Sequence, residues 1–353
     1  MKLSSYTLAL LEDIENRLDH ETEEDFRRQW EDFWADRCTD VVFRAKRKTI
    51  RKPEAEIKKI LLNDTLDDYE LMLARELGQI SQRLATPDTA LGVRCNYGTG
   101  IMSSLFGAEI FYMAREKNTL PTTCAIGGTD AVRRLCEKGV PSLTEGLGAR
   151  VFEMGEIFAE VFRDYPKIQK YVQIYHPDTQ GPLDIAELLW GGDMFLAMYD
   201  EPELVQDFLT LITDTYKQFL DKWFALIPNR GDLNVHLRWM HRGQIFIRDD
   251  SAMNLSPSLY EEFAFPYDND LLNYYGGGCV HFCGRGDHYI DILTTAPLLY
   301  GINFTQPQYN DMDKLYAAAQ RSGKKFVGIY REESERYEKR PDAVPGMVNR
   351  QDM

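Results

Sequence analysis

Apolar residues along this chain form short runs that alternate with amphipathic stretches from about residue 90 to residue 330. Short apolar runs flanked by turn-forming residues predict β-strands, and a stripe of apolar residues at helical spacing predicts a helix. The clearest helices are predicted from Asp200 to a point before Pro228 and from Asp311 to Gly323. The predicted strands are residues 91–95, 123–126, 171–175, 233–237, 244–247, 279–283, 300–304 and 325–330.

Strands that alternate with helices indicate a parallel sheet, and eight such units predict a (β/α)8 TIM barrel. A doubly wound open sheet would show the same alternation, but it normally carries a glycine-rich phosphate-binding turn directly after a strand. Here Gly276-Gly277-Gly278 precedes a predicted strand, and Gly284-Arg285-Gly286 lacks the remaining glycine. The α/β barrel is therefore the favoured fold class.

Residues 1–88 are charged and have the periodicity of helices, with Leu8, Leu11, Ile14 and Leu18 three or four positions apart. They predict an N-terminal helical extension packed on a barrel formed by residues 89–331. Residues 332–353 are mostly polar, and we expect them to form a C-terminal tail on the surface.

The balance of charges narrows the choice of partners. The chain has 353 residues, with 41 Lys and Arg against 56 Asp and Glu, which gives a formal charge of −15. A surface this acidic repels phosphate backbones and anionic lipid, so nucleic acid and membrane partners are not expected. No apolar run approaches the ~18 residues of a membrane span, and six cysteines are too sparse for a disulfide scaffold. These features predict a cytoplasmic protein that acts on a small molecule.

Functional groups in such barrels stand at the C-terminal ends of the strands. In the predicted strand 279–283 side chains alternate, so Cys279, His281 and Cys283 should face the barrel axis, and Val280 and Phe282 the helices. His281 and Cys283 lie about 7 Å apart along the strand, a gap that convergent side chains can close onto one zinc ion. The alternative is that the cysteines are small buried hydrophobes and His281 is a hydrogen-bonded core residue.

Two further polar groups follow predicted strands. Adjacent carboxylates at Asp249 and Asp250 repel each other, so one can titrate at high pH, or a cation or substrate N–H can hold both. His176 and Asp178 place a proton carrier and an orienting carboxylate in one loop. These four residues are the candidate catalytic groups, although helix capping or turn formation would also explain the aspartates.

Hydrogen-bond donors and acceptors at other strand ends are candidates for binding substrate. Arginines there suit a carboxylate-bearing substrate through bidentate contacts, and they fit equally well as internal salt-bridge partners. The candidate substrate-binding residues are Arg94, Tyr97, Arg238, Arg285, Asn303 and Gln306.

Four stretches together resemble the uroporphyrinogen decarboxylase superfamily, which includes the decarboxylase and cobalamin-dependent methyltransferases. The stretches occur in the family's order between about residues 90 and 330. They are Asn96-Tyr97-Gly98 with Leu105-Phe106-Gly107, Gln180-Gly181-Pro182-Leu183-Asp184 with Asp200-Glu201-Pro202, Asp249-Asp250 with Leu255-Ser256-Pro257 and Phe265-Pro266-Tyr267, and His281-Phe282-Cys283-Gly284. The resemblance implies a (β/α)8 barrel with a funnel-shaped site at the strand C-termini.

Departures from the family pattern bear on the activity. The decarboxylases carry an Arg-Gln-Ala-Gly-Arg motif for the substrate's acidic groups, whereas this chain has only Arg27-Arg28-Gln29. The zinc methyltransferases of the family use His-x-Cys and a later cysteine. His281 and Cys283 match the first part, and no cysteine follows them. The substitutes considered for the third ligand are Cys279, Glu332, Glu333 and Asp249.

The resemblance favours a corrinoid-dependent methyltransferase that moves a methyl group between a small substrate and a cobalamin, with zinc as the metal and the corrinoid on a partner protein. A tetrapyrrole decarboxylase of the uroporphyrinogen type is an alternative. A catalytically silent barrel that binds a ligand or a corrinoid protein is another. The sequence leaves the oligomeric state open, with a homodimer as one option.

Overall fold

The computed structural model describes residues 2–351, and residues 1, 352 and 353 lie outside it. The described chain is a mixed α/β fold. Its helices are α1 Ser5–Arg17, α2 His20–Trp34, α3 Leu62–Thr65, α4 Tyr69–Arg83, α5 Ile101–Leu105, α6 Thr129–Lys138, α7 Gly148–Arg163, α8 Pro166–Tyr171, α9 Pro182–Trp190, α10 Asp193–Asp200, α11 Pro202–Leu226, α12 Pro257–Phe263, α13 Phe265–Tyr274, α14 Ile290–Leu293, α15 Met312–Ser322 and α16 Arg331–Glu338.

The strands of the described chain are short. They are β1 Val42–Phe43, β2 Gly92–Val93, β3 Ile110–Phe111, β4 Thr122–Thr123, β5 Gln173–Ile174, β6 Leu233–His236, β7 Trp239–Arg242, β8 Ile245–Arg248, β9 Gly278–Phe282, β10 Leu299–Phe304, β11 Lys325–Tyr330 and β12 Val348–Gln351. Three 3₁₀ turns accompany them, at Arg115–Lys117, Asp250–Asn254 and Pro307–Tyr309.

Eight of the strands pair in parallel, in two separate ladders. The larger ladder has six strands in the order β1-β12-β11-β10-β9-β8, and the smaller pairs β2 with β5. From β8 to β12 the larger ladder places chain-sequential strands side by side, as expected when helices connect parallel strands, and β12 then pairs with β1. A hydrogen bond links the ladders near β5 and β8, where the Phe246 N–H donates to Nε2 of His176 at 3.1 Å.

The two faces of the larger sheet pack against different layers. Val280, Phe282 and Ile247 belong to the main apolar core, which the surrounding helices complete. The alternate residues Cys279 and Phe246 belong to a second cluster with α2 and the β6–β7 hairpin. This arrangement confirms the alternation predicted for strand 279–283, because neighbouring residues lie on opposite faces.

The antiparallel hairpin of β6 and β7 covers the second face of the sheet. Trp239 lies against Phe246 with ring centroids 6.1 Å apart, and His236 stacks on the same ring at 4.3 Å. The Trp34 indole N–H donates to the Met240 carbonyl, so α2 holds the hairpin from its other side. The hairpin therefore fills space beside the sheet with aromatic side chains.

Two of the predicted barrel strands are wrong in their pairing. Residues 123–126 contribute only to β4, which pairs antiparallel with β3, and residues 233–237 form β6 of the hairpin. A short apolar run specifies an extended, buried segment, but it does not specify the neighbour with which that segment pairs. The other six predicted strands correspond to members of the parallel ladders.

The sheet also contains two strands from the ends of the chain. β1 comes from the segment expected to be only a helical extension, and β12 from the expected polar tail. Val42 pairs with Val348, and Phe326 of β11 pairs with Val348 on its other side. The expectation of a surface tail after residue 331 is therefore incorrect for residues 332–351, because they form α16 and a strand inside the ladder.

The two helices predicted with defined ends are confirmed as α11 and α15. The Asp311 side chain accepts a hydrogen bond from the Lys314 N–H, and Gly323 ends α15 with a φ of 68°. No helix within residues 2–351 is long and apolar enough to cross a membrane.

Two glycines with nearly equal φ angles allow the crowding around the hairpin to be measured. Gly328 of β11 has a φ of +66°, and an added Cβ would lie 2.7 Å from the Trp239 ring. Gly323 has a φ of +68° with open space around an added Cβ. We expect Gly323→Ala to lower the free energy of unfolding by about 1 kcal/mol from backbone strain, and Gly328→Ala by about 3 kcal/mol from strain and overpacking.

Urea denaturation of both variants checks this expectation. Equal losses of stability would show that Trp239 does not pack tightly against β11.

Candidate active site

The most concentrated group of reactive side chains follows the C-terminal ends of β8 and β9. Asp250 begins the 3₁₀ turn after β8, and His281 and Cys283 lie at the end of β9. One possible ligand atom from each of these three residues lies within 4.8 Å of the other two. We call this group the Asp–His–Cys cluster.

Direct contacts hold the Asp–His–Cys cluster together. Nε2 of His281 lies 3.2 Å from the Cys283 sulfur and 3.4 Å from Oδ1 of Asp250. The Cys283 backbone N–H donates to the same Asp250 oxygen at 2.7 Å. This bond ties the end of β9 to the turn that follows β8.

Asn303 of β10 fixes the orientation of the His281 ring. Nδ1 of His281 lies 2.6 Å from Oδ1 of Asn303, and Nδ2 of Asn303 donates to the Val327 carbonyl at 2.6 Å. Because the amide nitrogen is used by that carbonyl, the amide oxygen is left to accept the Nδ1–H of His281. The Nε2 lone pair is then directed toward Cys283 and Asp250, as in histidines that bind metals.

Asp184, in the first turn of α9, fixes the position of Asp250. Its carboxylate accepts the backbone N–H of Asp250 at 3.0 Å and that of Ser251 at 2.7 Å. The sequence marks Asp184 only as part of a family stretch, because its partners lie more than sixty residues away. Asp184 therefore acts as a positioning residue for the 3₁₀ turn.

The donor atoms of the cluster suit a zinc ion. Imidazole nitrogen, thiolate sulfur and carboxylate oxygen are the usual zinc ligands, and sites with three protein ligands keep a position for substrate. Burial raises the pKa of Cys283 to about 11, so the thiol is protonated at neutral pH unless a cation binds it. Asp250, His281 and Cys283 are thus the residues of this chain that could hold the metal.

Asp250, the third possible metal ligand, is not one of the residues that the sequence suggested as substitutes for the missing cysteine. Cys279 is buried in the second apolar cluster, and Asp249 lies beside Asp268. Glu333 accepts a hydrogen bond from Tyr316, and Glu332 pairs with Arg336. Asp250, which was predicted as a catalytic residue, takes the place that was considered for these four.

Asp249 is not part of the cluster and is buried beside Asp268. Burial and the neighbouring charge of Asp268 raise the pKa of Asp249 well above its ordinary value. Burial raises the pKa of Asp268 to about 7. The raised pKa of Asp249 agrees with the first alternative given for these aspartates, that one of them titrates at high pH. Asp250 belongs to the Asp–His–Cys cluster, whereas Asp249 is buried in the core.

A cavity of about 420 Å³ lies beside the cluster. Its lining combines hydrogen-bonding and cationic side chains with the ring of Trp239. The lining residues are Gln79, Arg83, Leu237, Arg238, Trp239, Phe246, Arg248, His281, Asn303, Thr305, Gly328, Tyr330 and Gln351. Since it reaches His281 and Asn303, this cavity is the candidate substrate-binding site, and we call it the substrate cavity.

A buried ion-pair group contributes positive charge to the substrate cavity. Asp178 pairs with Arg94 at 3.1 Å and also with Arg248, and Gln180 donates to its carboxylate. One carboxylate therefore faces two guanidinium groups, and Glu76 offsets part of the charge of Arg94 and Arg83. The cavity lining itself contains three arginines and no carboxylate, so it is positively charged. Asp178 orients arginines here, whereas the sequence suggested that it would orient His176.

His176 occupies a structural position. Its Nδ1 lies 2.8 Å from the Pro177 carbonyl, and its Nε2 accepts the Phe246 N–H. Burial lowers the pKa of His176 to about 3. Both ring nitrogens are thus in use between β5 and β8, away from the Asp–His–Cys cluster.

The remaining predicted substrate residues lie in different places. Arg238 is exposed and lines the substrate cavity, and Asn303 contacts His281. Gln306 accepts the Gly284 N–H next to Cys283. Tyr97 is fully buried, and Arg285 pairs with Asp287 outside the cavity lining.

Two polar residues near the cluster are not among those predicted from the sequence. Arg248 is the last residue of β8, and Thr305 follows β10 and donates to the Cys283 sulfur at 3.2 Å. Both stand at strand C-termini, the position that marked the other candidates. Their position at the ends of predicted strands could therefore have identified them from the sequence.

Replacing Asp268 with Asn would remove one of the two buried carboxyl groups. Because the pKa of Asp268 is about 7 in the folded chain and 3.8 ordinarily, the folded chain retains a proton that the unfolded chain releases. The resulting stabilisation is complete below pH 3.8 and is lost as the pH rises to about 7. We expect Asp268→Asn to raise the free energy of unfolding relative to the unsubstituted chain, and by more at pH 8 than at pH 5.

Denaturant titrations at the two pH values measure this difference. Asp270→Asn, on the same helix at an exposed position paired with Lys217, controls for the substitution itself. An equal effect of Asp268→Asn at both pH values would contradict the expectation.

Comparison with known proteins bears on the fold. Neither a protein-family model nor a curated protein matches the chain. Among solved structures, a methyltransferase from Methanosarcina mazei is similar, with a TM-score of 0.63 and 14% sequence identity. The match covers 92% of this chain and 92% of that chain. The two chains therefore share a fold over nearly their whole lengths.

Proposed function

We propose that this chain is a methyltransferase that moves a methyl group between a small anionic substrate and a corrinoid carried by a partner protein. The observation that carries the proposal is the Asp–His–Cys cluster, which brings nitrogen, sulfur and oxygen donors together beside a polar cavity. The fold shared with a methyltransferase supports it.

We infer further that the eight parallel strands form a (β/α)8 barrel, with the ladders meeting between β5 and β8 and between β1 and β2. The chain order of the strands around both ladders supports this inference. In such a barrel β8, β9 and β10 direct their C-terminal ends toward one opening. The Asp–His–Cys cluster would then lie at that opening, where a partner protein can reach it.

Asp250, His281 and Cys283 would hold a zinc ion. Zinc bound there would stabilise a substrate thiolate or alkoxide at neutral pH. Asn303 would keep the His281 ring in the orientation that presents Nε2, and Asp184 would keep the Asp250 turn in place. The protein's own contribution is thus the alignment of three ligands and the exclusion of water by Trp239 and Phe246 on the cavity wall.

The arginines of the substrate cavity select the charge of the substrate. Arg248 shares Asp178 with Arg94, and Arg238 is exposed in the lining without a carboxylate partner among residues 2–351. A substrate with a carboxylate or another oxyanion would neutralise this excess of positive charge. Its reacting thiol or hydroxyl would then lie near the Asp–His–Cys cluster.

Zinc binding by variants that each lack one proposed ligand tests the ligand set. We expect the purified chain to bind one zinc ion, and Cys283→Ser, His281→Ala and Asp250→Asn to weaken zinc binding because each removes a ligand. Cys279→Ser is the matched control, because Cys279 lies on the same strand in the second apolar cluster. Metal analysis and competition titration with a chelator measure the affinities.

Activity is tested with methylcobalamin as methyl donor and 3-mercaptopropionate as acceptor. We expect demethylation that the three ligand substitutions abolish, and a slower reaction with neutral 2-mercaptoethanol because it cannot pair with the arginines. A chain that binds no zinc and leaves methylcobalamin intact would contradict the proposal. If a chain with neither property released carbon dioxide from uroporphyrinogen, it would be a decarboxylase. If it captured a corrinoid protein without turnover, it would be a binding protein.

Asn303→Ala would remove the acceptor that orients His281. We expect zinc affinity to fall by about 10–100-fold, the usual effect of losing such a partner. Asn303→Asp retains the oxygen acceptor and should restore part of the affinity. An unchanged affinity in Asn303→Ala would show that the ring is oriented by other contacts.

A further inference from the structure

A second cavity, of about 470 Å³, lies away from the Asp–His–Cys cluster. It is formed by the C-terminal half of α2, the loop before β6 and the end of β7. Four of its lining residues are arginines, and we call it the arginine cavity. The lining residues are Arg27, Glu31, Trp34, Ala35, Arg37, Arg230, Gly231, Asp232, Leu233 and Arg242.

The arginine cavity lies near the opposite ends of the strands from the candidate active site. The Arg242 guanidinium sits 4.3 Å above the ring of Tyr300, the second residue of β10. Gly243 approaches the backbone of Gly277 and Gly278, where β9 begins. Since the Asp–His–Cys cluster follows the C-terminal ends of β8 and β9, the two cavities are separate sites.

The charges lining the arginine cavity do not balance. Arg27 pairs with Glu31 at 3.1 Å and Arg242 with Asp232 at 3.0 Å, and Arg37 pairs with Asp32 next to the cavity. Arg230 has no carboxylate partner among residues 2–351. The four arginines therefore carry one positive charge in excess, in a chain whose formal charge is −15.

Arg230 is held in place by neutral groups. Its guanidinium donates to the carbonyls of Gln169, Lys170 and Val172. Carbonyls orient the group but do not cancel its charge. Burial, together with the charge of Arg27, lowers the pKa of Arg230 to about 10, so the group remains a cation at neutral pH and is destabilised by its neighbour.

We propose that the arginine cavity binds a small, multiply charged oxyanion, a phosphate or polycarboxylate compound. Fixed guanidinium groups recognise such anions by paired hydrogen bonds, and a bound anion would offset the repulsion between Arg27 and Arg230. The volume is in the range of small-ligand cavities. Trp34 adds an apolar wall, and its N–H is already bonded to the Met240 carbonyl. This site is independent of the proposed methyl transfer.

Binding of inorganic diphosphate and of citrate, measured by calorimetry at low ionic strength, tests the proposal. The two anions distinguish phosphate from carboxylate chemistry. We expect at least one to bind, and Arg27→Gln and Arg242→Gln each to weaken its binding by about tenfold, the loss expected for a charge-assisted hydrogen bond. The double variant should lose this binding, and any weaker binding that remains and depends on Arg238 belongs to the substrate cavity.

Two matched variants separate this site from other arginines. Arg321→Gln removes an exposed arginine that pairs with a single aspartate, Asp291, as Arg242 does with Asp232. Arg238→Gln alters the substrate cavity instead. We expect both to bind like the unsubstituted chain. Absence of binding at millimolar anion, unchanged binding in the double variant, or a loss seen in Arg238→Gln or Arg321→Gln alone would overturn the proposal.

Discussion

The candidate active site depends on one hydrogen bond, from the Cys283 backbone N–H to the Asp250 carboxylate. Alternation along β9 places His281 and Cys283 on the same face of the strand, but it cannot bring in a third donor. The carboxylate reaches them because Asp250 begins a 3₁₀ turn whose own N–H groups are held by Asp184. Three elements, α9, β8 and β9, must therefore keep their relative positions for the three ligand atoms to meet.

The strands that could be predicted are those buried on both faces. β9, β10 and β11 are nearly continuous apolar runs, because helices cover one face of the sheet and the hairpin and α2 cover the other. β12 has the sequence Val-Asn-Arg-Gln, which carries no apolar run, and β1 has only two residues. Their places in the sheet come from pairing with strands distant in the chain, which local pattern does not encode. For the same reason residues 233–237 were identified as a strand and assigned the wrong neighbours.

The residues of the candidate active site likewise divide into those that could be predicted from the sequence and those that could not. His281 and Cys283 could be identified because the period of a strand alone places them together. The choice between Asp249 and Asp250 could not be made from the sequence, because adjacent residues at a strand end differ only in the residues that surround them in the folded chain. Asp268, nineteen positions after Asp249, is buried beside Asp249. Asp250 is therefore the aspartate that belongs to the Asp–His–Cys cluster. Asn303, which is predicted to bind substrate and lines the substrate cavity, also orients His281, because its neighbour across the β9–β10 ladder is His281 itself.

If the two arginine-lined cavities of this acidic chain bind anions, as proposed, local rather than overall charge attracts the anions. At physiological ionic strength fields are screened over about 8 Å, so the formal charge of −15 mainly slows the approach of an anion and contributes little inside a cavity. In the substrate cavity Asp178 neutralises one of two guanidinium groups, and in the arginine cavity carbonyls hold Arg230 without neutralising it. In both places the backbone and neighbouring carboxylates fix the guanidinium groups before any ligand arrives. Little further ordering would then be needed on binding, and geometry rather than net charge would decide which anion binds.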